Sequence, residues 1–429
     1  MAKTFSIRTL GCKLNQYESD QIAQTFINAG WNIRSFGEEV DLVIVNTCTV
    51  TEKSDKRSRN YIRQGARFSK SRGVVVTGCL VNRDRQAVEK LPEVISAFAV
   101  QEHEDLTAIA FQPGQIERPK VLSVKCFRTR RFLKIQDGCD GSCSYCIIPK
   151  VRGEPRSRGL SQILLQAQRL VDEGCPEIVL TGITIGKYRD GDTDLAALAE
   201  SIANFRGEFR LRITSIEPLH VNDRLIEVYA HEKLCSHIHL PLQSGSDRIL
   251  RAMQRPYRIA DYQRVLEKIR ARYPKIAVGT DIIVGFPGER ESDFIESLRR
   301  LEEFRFAYVH QFSFSKREGT VASNMADEVS APSMAERVDR LREVALRTGW
   351  EYRRQFIGAR LSCVVNPDRK GKSYRAVSDN YIRMNLVDSR LNQAACGKIA
   401  EVKILKTDAK QTTGAVLAPD YRSTKKPLR

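Results

Sequence analysis

The sequence predicts an α/β protein in three parts: an amino-terminal open parallel sheet, a central partial barrel of six strand and helix units, and a small carboxy-terminal β-barrel. The chain has 429 residues, which is enough for about two to four domains. Strand-like and helix-like segments alternate over most of its length, and only short strand-like runs follow near the end. With 41% hydrophobic and 28% charged residues, the composition is that of a globular protein.

The first part alternates strands and helices, and a cysteine follows each long strand. The predicted elements, in chain order, are a strand over 5–10, a helix over 15–29, a strand over 41–47, a helix from Glu52, a strand over 73–78 and a helix from Asn82. The three cysteines are Cys12, Cys48 and Cys79. Because parallel strands end at one edge of a sheet, we expect these thiols to converge on a metal or cluster site. A single cysteine at such a place would more simply be a core residue.

The second part opens with a basic strand over 128–136 and a compact cysteine motif. Cys139, Cys143 and Cys146 have the spacing CxxxCxxC. A structural zinc site uses four protein ligands, and a redox dithiol uses two cysteines. Three thiolates suit a 4Fe-4S cluster that keeps one iron open for another ligand. A zinc site that a distant Cys or His completes is the alternative.

Five further strand patterns follow, and a helical segment precedes each of them. They cover residues 177–183, 210–216, 237–242, 275–285 and 308–315. With the strand before Cys139 they make six units, too few for a closed eight-stranded barrel, so we predict a partial barrel with its functional groups at the carboxyl ends of the strands. The polar groups expected to contact a ligand there, together with Tyr145 of the cysteine motif, are Thr181, Gly182, Ser215, Glu217, Gln243, Ser244 and Asp281. Gly182 and Gly245 would let a ligand approach the backbone closely.

The last part is basic. After an amphipathic helix over 334–356, short strand patterns cover 361–365, 373–377, 381–386, 399–405 and 412–418, which predicts a small β-barrel. Between Arg353 and Arg429 there are 17 Lys or Arg and six Asp or Glu, so this part carries +11 of the total charge of +18. We expect an RNA-binding appendage, and a solvated surface that only aids solubility is the alternative.

Charge and hydropathy also limit the partners and the compartment. The excess of positive charge indicates a polyanion such as nucleic acid. The sequence contains no apolar run of about 18 residues and no signal-peptide core, so we expect a cytoplasmic protein without membrane contact. In a reducing compartment, most of the eleven cysteines should be ligands or core residues. Five share no spacing and are expected to be core or surface thiols: Cys126, Cys175, Cys235, Cys363 and Cys396.

The motifs together resemble a known family. CxxxCxxC after a first barrel strand is similar to the radical S-adenosylmethionine superfamily, and three further cysteines on a preceding sheet resemble its methylthiotransferase branch. The segments TLGCKLNQYESD, NTCTVT, RITSIEP and HLPLQSGSDRILRAMQRPY resemble the enzymes that act on threonylcarbamoyladenosine in tRNA. The resemblance implies a methylthiotransferase domain over 1–120, a radical domain over 121–350 and a TRAM-like barrel over 351–429.

The resemblance also implies cofactors and partners. One 4Fe-4S cluster, on Cys139, Cys143 and Cys146, would bind S-adenosylmethionine and form an adenosyl radical. A second 4Fe-4S cluster, on Cys12, Cys48 and Cys79, would deliver sulfur to C2 of the modified adenine. The implied partners are the tRNA anticodon loop, a reducing electron donor of the flavodoxin or ferredoxin type and a sulfur donor, with the chain acting as a monomer.

Other functions are consistent with the same cysteines and the same charge. A methylthiotransferase of the isopentenyladenosine or ribosomal-protein type would have every cysteine, and a zinc-stabilised RNA-binding protein would have the cysteines and the charge. A threonylcarbamoyl substrate requires a pocket that accepts a carboxylate. We predict Arg152, Arg156 and Arg158 for that role, with contact to the RNA backbone as the other reading.

Overall fold

The computed structural model describes residues 3–111, 129–368, 373–387 and 396–417. Over these ranges the chain is an α/β protein with three successive units, as the sequence predicts. Within the same ranges, no helix has both the length and the hydropathy needed to cross a membrane. Cys126 and the predicted boundary near residue 120 lie outside the described residues, so the domain boundaries stay a prediction.

The amino-terminal unit is a five-stranded parallel sheet in the order β2-β1-β3-β4-β5. Its elements are β1 (Thr4–Thr9), α1 (Lys13–Asn28), β2 (Asn32–Ile33), β3 (Leu42–Thr47), α2 (Glu52–Phe68), β4 (Val74–Gly78), α3 (Cys79–Arg83), α4 (Arg85–Glu89), β5 (Val94–Phe98) and α5 (His103–Ala108). Helix α1 covers one face with Phe26, and α2 covers the other with Ile62. The helix predicted from Asn82 is two short helices, because Asp84 leaves the helical conformation and caps α4.

The central unit is an open arc of six parallel strands in the order β6-β9-β12-β13-β14-β15, which confirms the partial barrel. A bridge between Ser215 and His239 joins its two halves. Its elements are β6 (Arg130–Lys134), β7 (Gln136–Asp137), α6 (Ile148–Arg152), β8 (Arg156–Ser157), α7 (Leu160–Asp172), β9 (Glu177–Thr181), β10 (Arg189–Asp190), β11 (Thr193–Asp194), α8 (Leu195–Ala203), β12 (Arg210–Ile213), α9 (Asp223–Val228), β13 (His237–His239), α10 (Asp247–Ala252), α11 (Ile259–Arg272), β14 (Ala277–Val284), α12 (Glu291–Phe304) and β15 (Tyr308–Ser313).

Helix α13 (Ala331–Arg354) leads into the carboxy-terminal unit, which is a closed five-stranded barrel. The helix begins earlier than predicted, because the Ser330 hydroxyl caps it and Pro332 suits its first turn. The barrel strands, which pair in the order β16-β17-β18-β20-β19, are β16 (Arg360–Pro367), β17 (Tyr374–Ser378), β18 (Arg383–Leu386), β19 (Ile399–Thr407) and β20 (Thr412–Val416).

A buried acid and two arginines join the barrel to the central arc. Glu177 accepts hydrogen bonds from Arg210 Nε at 2.7 Å and Arg212 Nε at 2.8 Å. The outer guanidinium nitrogens of both arginines donate, at 2.7–3.0 Å, to four backbone carbonyls of the barrel: Ser362, Val377, Ser378 and Asp379. Burial raises the pKa of Glu177, but Arg212 and Arg210 outweigh it and hold this pKa below its ordinary value. The contact between the central arc and the barrel, called the joint below, therefore depends on the ionised carboxylate of Glu177.

Replacing Glu177 should loosen this joint. In Glu177→Gln the two guanidinium groups stay buried without their counter-ion, so we expect the free energy of unfolding to fall by about 3 to 5 kcal/mol, measured by urea denaturation. Glu328→Gln is the control, because it removes an exposed ion pair with Lys316 and should cost far less. Equal losses in the two variants would show that Glu177 does not hold the joint.

Candidate functional site

Both cysteine sets line one cavity. It has a volume of about 1670 Å³ and opens where the edge of the amino-terminal sheet meets the carboxyl ends of the central strands. The six sulfur side chains on its wall are those of Cys12, Cys48, Cys79, Cys139, Cys143 and Cys146. The sequence predicts each set at the end of strands, but not that the two sets share a chamber.

The first set stands at junctions between strands and helices. Cys12 caps α1, Cys48 directly follows β3, and Cys79 is the first residue of α3. Gly78, just before Cys79, has a φ of 101°, and a Cβ there would lie 2.4 Å from the Thr47 carbonyl oxygen. Only glycine lets β4 end so close to β3. The backbone therefore brings Cys48 and Cys79 side by side at the sheet edge.

The second set lies on the loop between β7 and α6. The Gly141 amide donates to Cys139 Sγ at 3.2 Å, and Gly138 takes a φ of 76° where the loop passes Glu154. Burial raises the pKa of Cys146 to about 12 and also raises the pKa of Cys143. Without a metal these buried groups are neutral thiols, and a metal that binds them must displace their protons.

The spacing of the sulfur atoms favours clusters over single zinc ions. Across the described ranges, the one group of at least three metal-binding side chains whose ligand atoms all lie within 4.8 Å is His239, Asp281 and His310. Neither set of cysteines meets that limit. A tetrahedral zinc ion with Zn–S bonds of about 2.3 Å would hold its sulfur ligands well inside it. A cuboidal 4Fe-4S cluster is larger and needs its thiolates further apart, so the wider spacing of both sets does not argue against such a group.

Arg255 links the second cysteine set to a predicted ligand contact. Its side chain is buried, its Nη1 donates to Cys143 Sγ at 3.0 Å, and its Nη2 pairs with Glu217. Burial raises the pKa of Glu217, and Arg255 opposes this shift. Sequence reasoning missed Arg255, because it follows a short helix instead of a strand and because arginines are usually exposed.

Arg152 is a structural residue, contrary to its predicted role. It is 1% exposed, and its guanidinium donates to Glu18 at 2.5 Å, Asp137 at 3.3 Å and Cys79 Sγ at 3.3 Å. Because two carboxylates already neutralise it, Arg152 does not offer a free charge to a substrate carboxylate or to RNA. Asn15 joins the same group, since it accepts from Arg152 Nη2 at 3.2 Å.

The two other predicted arginines, unlike Arg152, do not line the cavity. Arg158 donates to the Lys134 carbonyl at 2.6 Å and to the Tyr17 hydroxyl at 3.2 Å. Arg156 is exposed and donates to the Arg152 carbonyl at 3.3 Å. Neither side chain belongs to the cavity wall. The charge that meets a substrate anion therefore has to come from elsewhere.

Most of the predicted ligand contacts do lie on the cavity wall. They are Tyr145, Thr181, Gly182, Ser215, Glu217, Gln243 and Asp281. Ser244 is fully buried outside the wall, and its hydroxyl accepts from the Ser246 amide at 3.2 Å. Packing gives a reason of its own for two glycines, since a Cβ would lie 2.4 Å from Ser297 Cα at Gly245 and 2.7 Å from the Gln136 carbonyl oxygen at Gly182. Both glycines are required by protein packing.

A hydrogen-bonded group of aromatic and acidic side chains forms another part of the wall. Tyr308 Oη lies 2.8 Å from His237 Nε2 and 3.1 Å from His239 Nδ1. Asp281 Oδ1 lies 3.1 Å from His239 Nε2 and 3.2 Å from His310 Nδ1. Burial raises the pKa of Asp281, but the two histidines outweigh it and keep this carboxyl ionised.

The carboxy-terminal barrel also contributes to the cavity wall. Tyr381 and Arg383 line the cavity. Tyr381 has a φ of 65°, and its ring centroid lies 4.7 Å from that of His237 and 5.2 Å from that of Tyr308. The guanidinium of Arg212 lies 5.0 Å from the same ring. The joint of Glu177 and the two arginines thus places a barrel side chain inside the central arc.

The mouth of the cavity is basic on the side of the amino-terminal unit. Lys53, Lys56 and Arg57 of α2 are exposed and line this mouth. Three more exposed arginines continue along the same helix: Arg59, Arg63 and Arg67. A polyanion that enters the cavity therefore meets positive charge on α2 as well as on the barrel.

Tyr381 should titrate at an unusually low pH. Burial raises the pKa of Tyr381, but Arg383, Lys13 and Arg130 outweigh it and lower this pKa to about 8. The phenolate therefore contributes stability above the ordinary tyrosine pKa of about 10, and this contribution is lost as the pH falls through 8. We expect a ¹³Cζ resonance of labelled tyrosine to titrate near pH 8.

The Tyr381→Phe variant should lack that resonance, and Tyr188→Phe should keep it, because burial raises the pKa of Tyr188 to about 12. If no tyrosine resonance titrates below pH 9, the cations do not surround Tyr381 as described.

Known proteins match both halves of the cavity. Residues 133–301 match the model of the Radical SAM superfamily, and residues 4–99 match that of Uncharacterized protein family UPF0004. The threonylcarbamoyladenosine tRNA methylthiotransferase MtaB of Bacillus subtilis is 36% identical over 426 residues, which cover 94% of each chain. The tRNA-2-methylthio-N(6)-dimethylallyladenosine synthase of Leifsonia xyli is 34% identical and covers 85% of this chain and 72% of its own.

A solved structure shares the fold. The radical S-adenosylmethionine methyltransferase TsrM of Kitasatospora setae superposes with a TM-score of 0.56 at 15% identity. The superposition covers 75% of this chain and 77% of that chain. At this identity the likeness concerns the fold alone.

Proposed function

The chain belongs to the radical S-adenosylmethionine methylthiotransferase family, and on that premise we propose that it adds a methylthio group to C2 of N6-threonylcarbamoyladenosine beside the anticodon of tRNA. One observation carries the proposal: two sets of three cysteines line a single cavity. Placing sulfur on an unactivated carbon needs a radical source and a sulfur carrier that both reach the same base. Two thiol-lined walls around one chamber meet that need.

The wall with Cys139, Cys143 and Cys146 is the proposed site of radical generation. A 4Fe-4S cluster held there supplies reductive cleavage of S-adenosylmethionine, the shared chemistry of this superfamily. Arg255 donates to Cys143 and at the same time orients Glu217. The polar residues proposed to contact the cofactor are Tyr145, Thr181, Gly182, Ser215, Glu217, Gln243 and Asp281, and Ser244 would support the loop that carries Gln243.

The opposite wall, with Cys12, Cys48 and Cys79, is the proposed sulfur site. Three thiolates leave one iron of a second 4Fe-4S cluster without a protein ligand, which is the position that sulfur delivery requires. Arg152 donates to Cys79 Sγ at 3.3 Å, a hydrogen bond that a thiolate at this position also accepts, so a protein side chain helps to hold this set in place. A base extruded from the single-stranded anticodon loop would enter between the two walls.

The cavity also bears on the choice of substrate. The relatives that match most of this chain are named as enzymes of threonylcarbamoyladenosine or of dimethylallyladenosine. The sequence identity to this chain is 36% for the Bacillus subtilis enzyme of the first kind and 34% for the Leifsonia xyli enzyme of the second kind. The threonylcarbamoyl group carries a carboxylate, whereas the dimethylallyl group is apolar. Lys13 and Arg383 on the wall favour the charged group. A ribosomal-protein substrate is the alternative that the experiments below address, whereas membership of this enzyme family argues against a zinc-stabilised RNA-binding protein.

The proposal includes partners outside the chain. Cleaving S-adenosylmethionine consumes an electron, and amino-acid side chains do not supply one, so we expect a protein donor of the flavodoxin or ferredoxin type. Each turnover also consumes sulfur, which requires a sulfur donor. We further propose that the chain works in the cytoplasm, where tRNA is modified, and acts as a monomer.

Competition between tRNAs tests the substrate. Under one set of reducing conditions, the enzyme is offered tRNA with threonylcarbamoyladenosine, dimethylallyladenosine or unmodified adenosine, and the nucleosides are analysed by mass spectrometry. We expect the 2-methylthio product to form predominantly on threonylcarbamoyladenosine. Preferential reaction with the dimethylallyl form would identify the other branch of the family. The absence of product on all three tRNAs would direct attention to a ribosomal protein.

Cysteine variants test the division of labour between the walls. The reconstituted protein should hold about eight irons per chain, and each triple alanine variant should hold about four. Replacing Cys12, Cys48 and Cys79 should preserve 5′-deoxyadenosine formation but abolish the methylthio product. Replacing Cys139, Cys143 and Cys146 should abolish both. Cys396→Ala, outside both sets, is the control that should keep all the iron, and full iron in either triple variant would refute the assignment.

A further inference from the structure

We propose that Lys13 and Arg383, two cations on the cavity wall, form a subsite that binds the carboxylate of the substrate's threonyl group. The inference rests on the proposed function, because it names the residues that select the charged adenosine. The two cations come from different units of the chain: Lys13 opens α1 beside Cys12, and Arg383 opens β18 of the barrel. Both side chains lie on the cavity wall.

Most other cations on the wall already have acidic partners. Within the described ranges these pairs are Arg152 with Glu18, Arg255 with Glu217, Lys187 with Asp140 and Lys56 with Glu52. In the same ranges neither Lys13 nor Arg383 forms an ion pair with a carboxylate. The positive charges of Lys13 and Arg383 on the cavity wall are therefore not balanced by a paired carboxylate.

The surroundings of Lys13 increase the need for an anion. Its side chain is partly buried, and within the described ranges it has no carboxylate partner. The Oδ1 atom of Asp281, on the same wall, already lies within 3.2 Å of a nitrogen of both His239 and His310. A partly buried ammonium without a close counter-ion is unfavourable, and a ligand carboxylate would stabilise it.

Arg383 is suited to complete the subsite. It donates one hydrogen bond, from Nη2 to the Tyr381 hydroxyl at 3.1 Å, and its guanidinium lies 5.2 Å from the ring centroid. The other N–H groups of its planar guanidinium are available to a carboxylate, which arginine binds with two parallel hydrogen bonds.

The position of the subsite indicates which carboxylate it takes. S-adenosylmethionine also carries one, but that cofactor belongs with the loop of Cys139, Cys143 and Cys146. Lys13 instead directly follows Cys12 of the sulfur wall, where the adenine to be modified must lie. A threonyl group on that adenine would extend toward Lys13 and Tyr381, whereas a dimethylallyl group would bring no charge to them.

Binding of synthetic anticodon stem-loops to the holoenzyme tests the subsite. One stem-loop carries N6-threonylcarbamoyladenosine and the other carries its neutral methyl ester, and the dissociation constants are measured by fluorescence anisotropy. The unaltered enzyme should bind the acid about 10-fold more tightly than the ester, as expected for a charge-assisted hydrogen bond. Lys13→Met and Arg383→Gln should each lose most of this preference. The control Lys53→Met, on the exposed rim, should weaken both stem-loops equally.

Several outcomes would overturn the subsite. If both variants keep the preference for the acid, the subsite is wrong while the proposed function stands. If the variants weaken binding of S-adenosylmethionine instead, in equilibrium dialysis, the carboxylate is that of the cofactor. If the unaltered enzyme methylthiolates only dimethylallyladenosine, the proposed function itself has failed. Iron content is measured in each variant, and Arg383→Gln, which is distant in sequence from both cysteine sets, decides the matter if Lys13→Met loses iron.

Discussion

The buried Arg152 guanidinium is the contact on which the cavity depends. It follows the CxxxCxxC loop directly, yet its partners Glu18 and Cys79 belong to the amino-terminal unit. Asp137 of the central arc shares the same charge. Because a guanidinium is planar and offers five donors, one side chain can hold the edges of two sheets at a set distance. The cysteine sets face each other as a result, since each is carried by one of those edges.

Much of the fold was predictable, because hydrophobic residues repeat with a different period in strands and in helices, and this pattern is local in the sequence. The ends of β3 and β4 place Cys48 and Cys79 correctly, and the number of strands in the arc was also right. The arrangement between units was not predictable, because it depends on contacts between residues far apart in the chain. Arg255 and Tyr381 carry no local signal of their roles, and a buried arginine contradicts the usual preference of that residue for the surface.

Electrostatics divides the cavity into regions with different tasks. Near Cys143 the charge of Arg255 is matched by Glu217, and near Cys79 the charge of Arg152 is matched by two acids. Among the described residues of the cavity wall, positive charge without an acidic partner lies at Lys13 and Arg383 and along the exposed side of α2. Balanced charge suits a wall that holds a resident group, whereas unbalanced charge suits one that meets an anion from outside.

The joint between the arc and the barrel has an evolutionary consequence. Arg210 and Arg212 bind the barrel through hydrogen bonds to backbone carbonyls, and these carbonyls are present whatever side chains the barrel carries. Mutations in the barrel can therefore accumulate without loosening its attachment, including at Tyr381 and Arg383, the positions that reach the cavity. Such an attachment leaves descendants free to exchange one preferred nucleoside for another while the machinery around the cysteines stays unchanged.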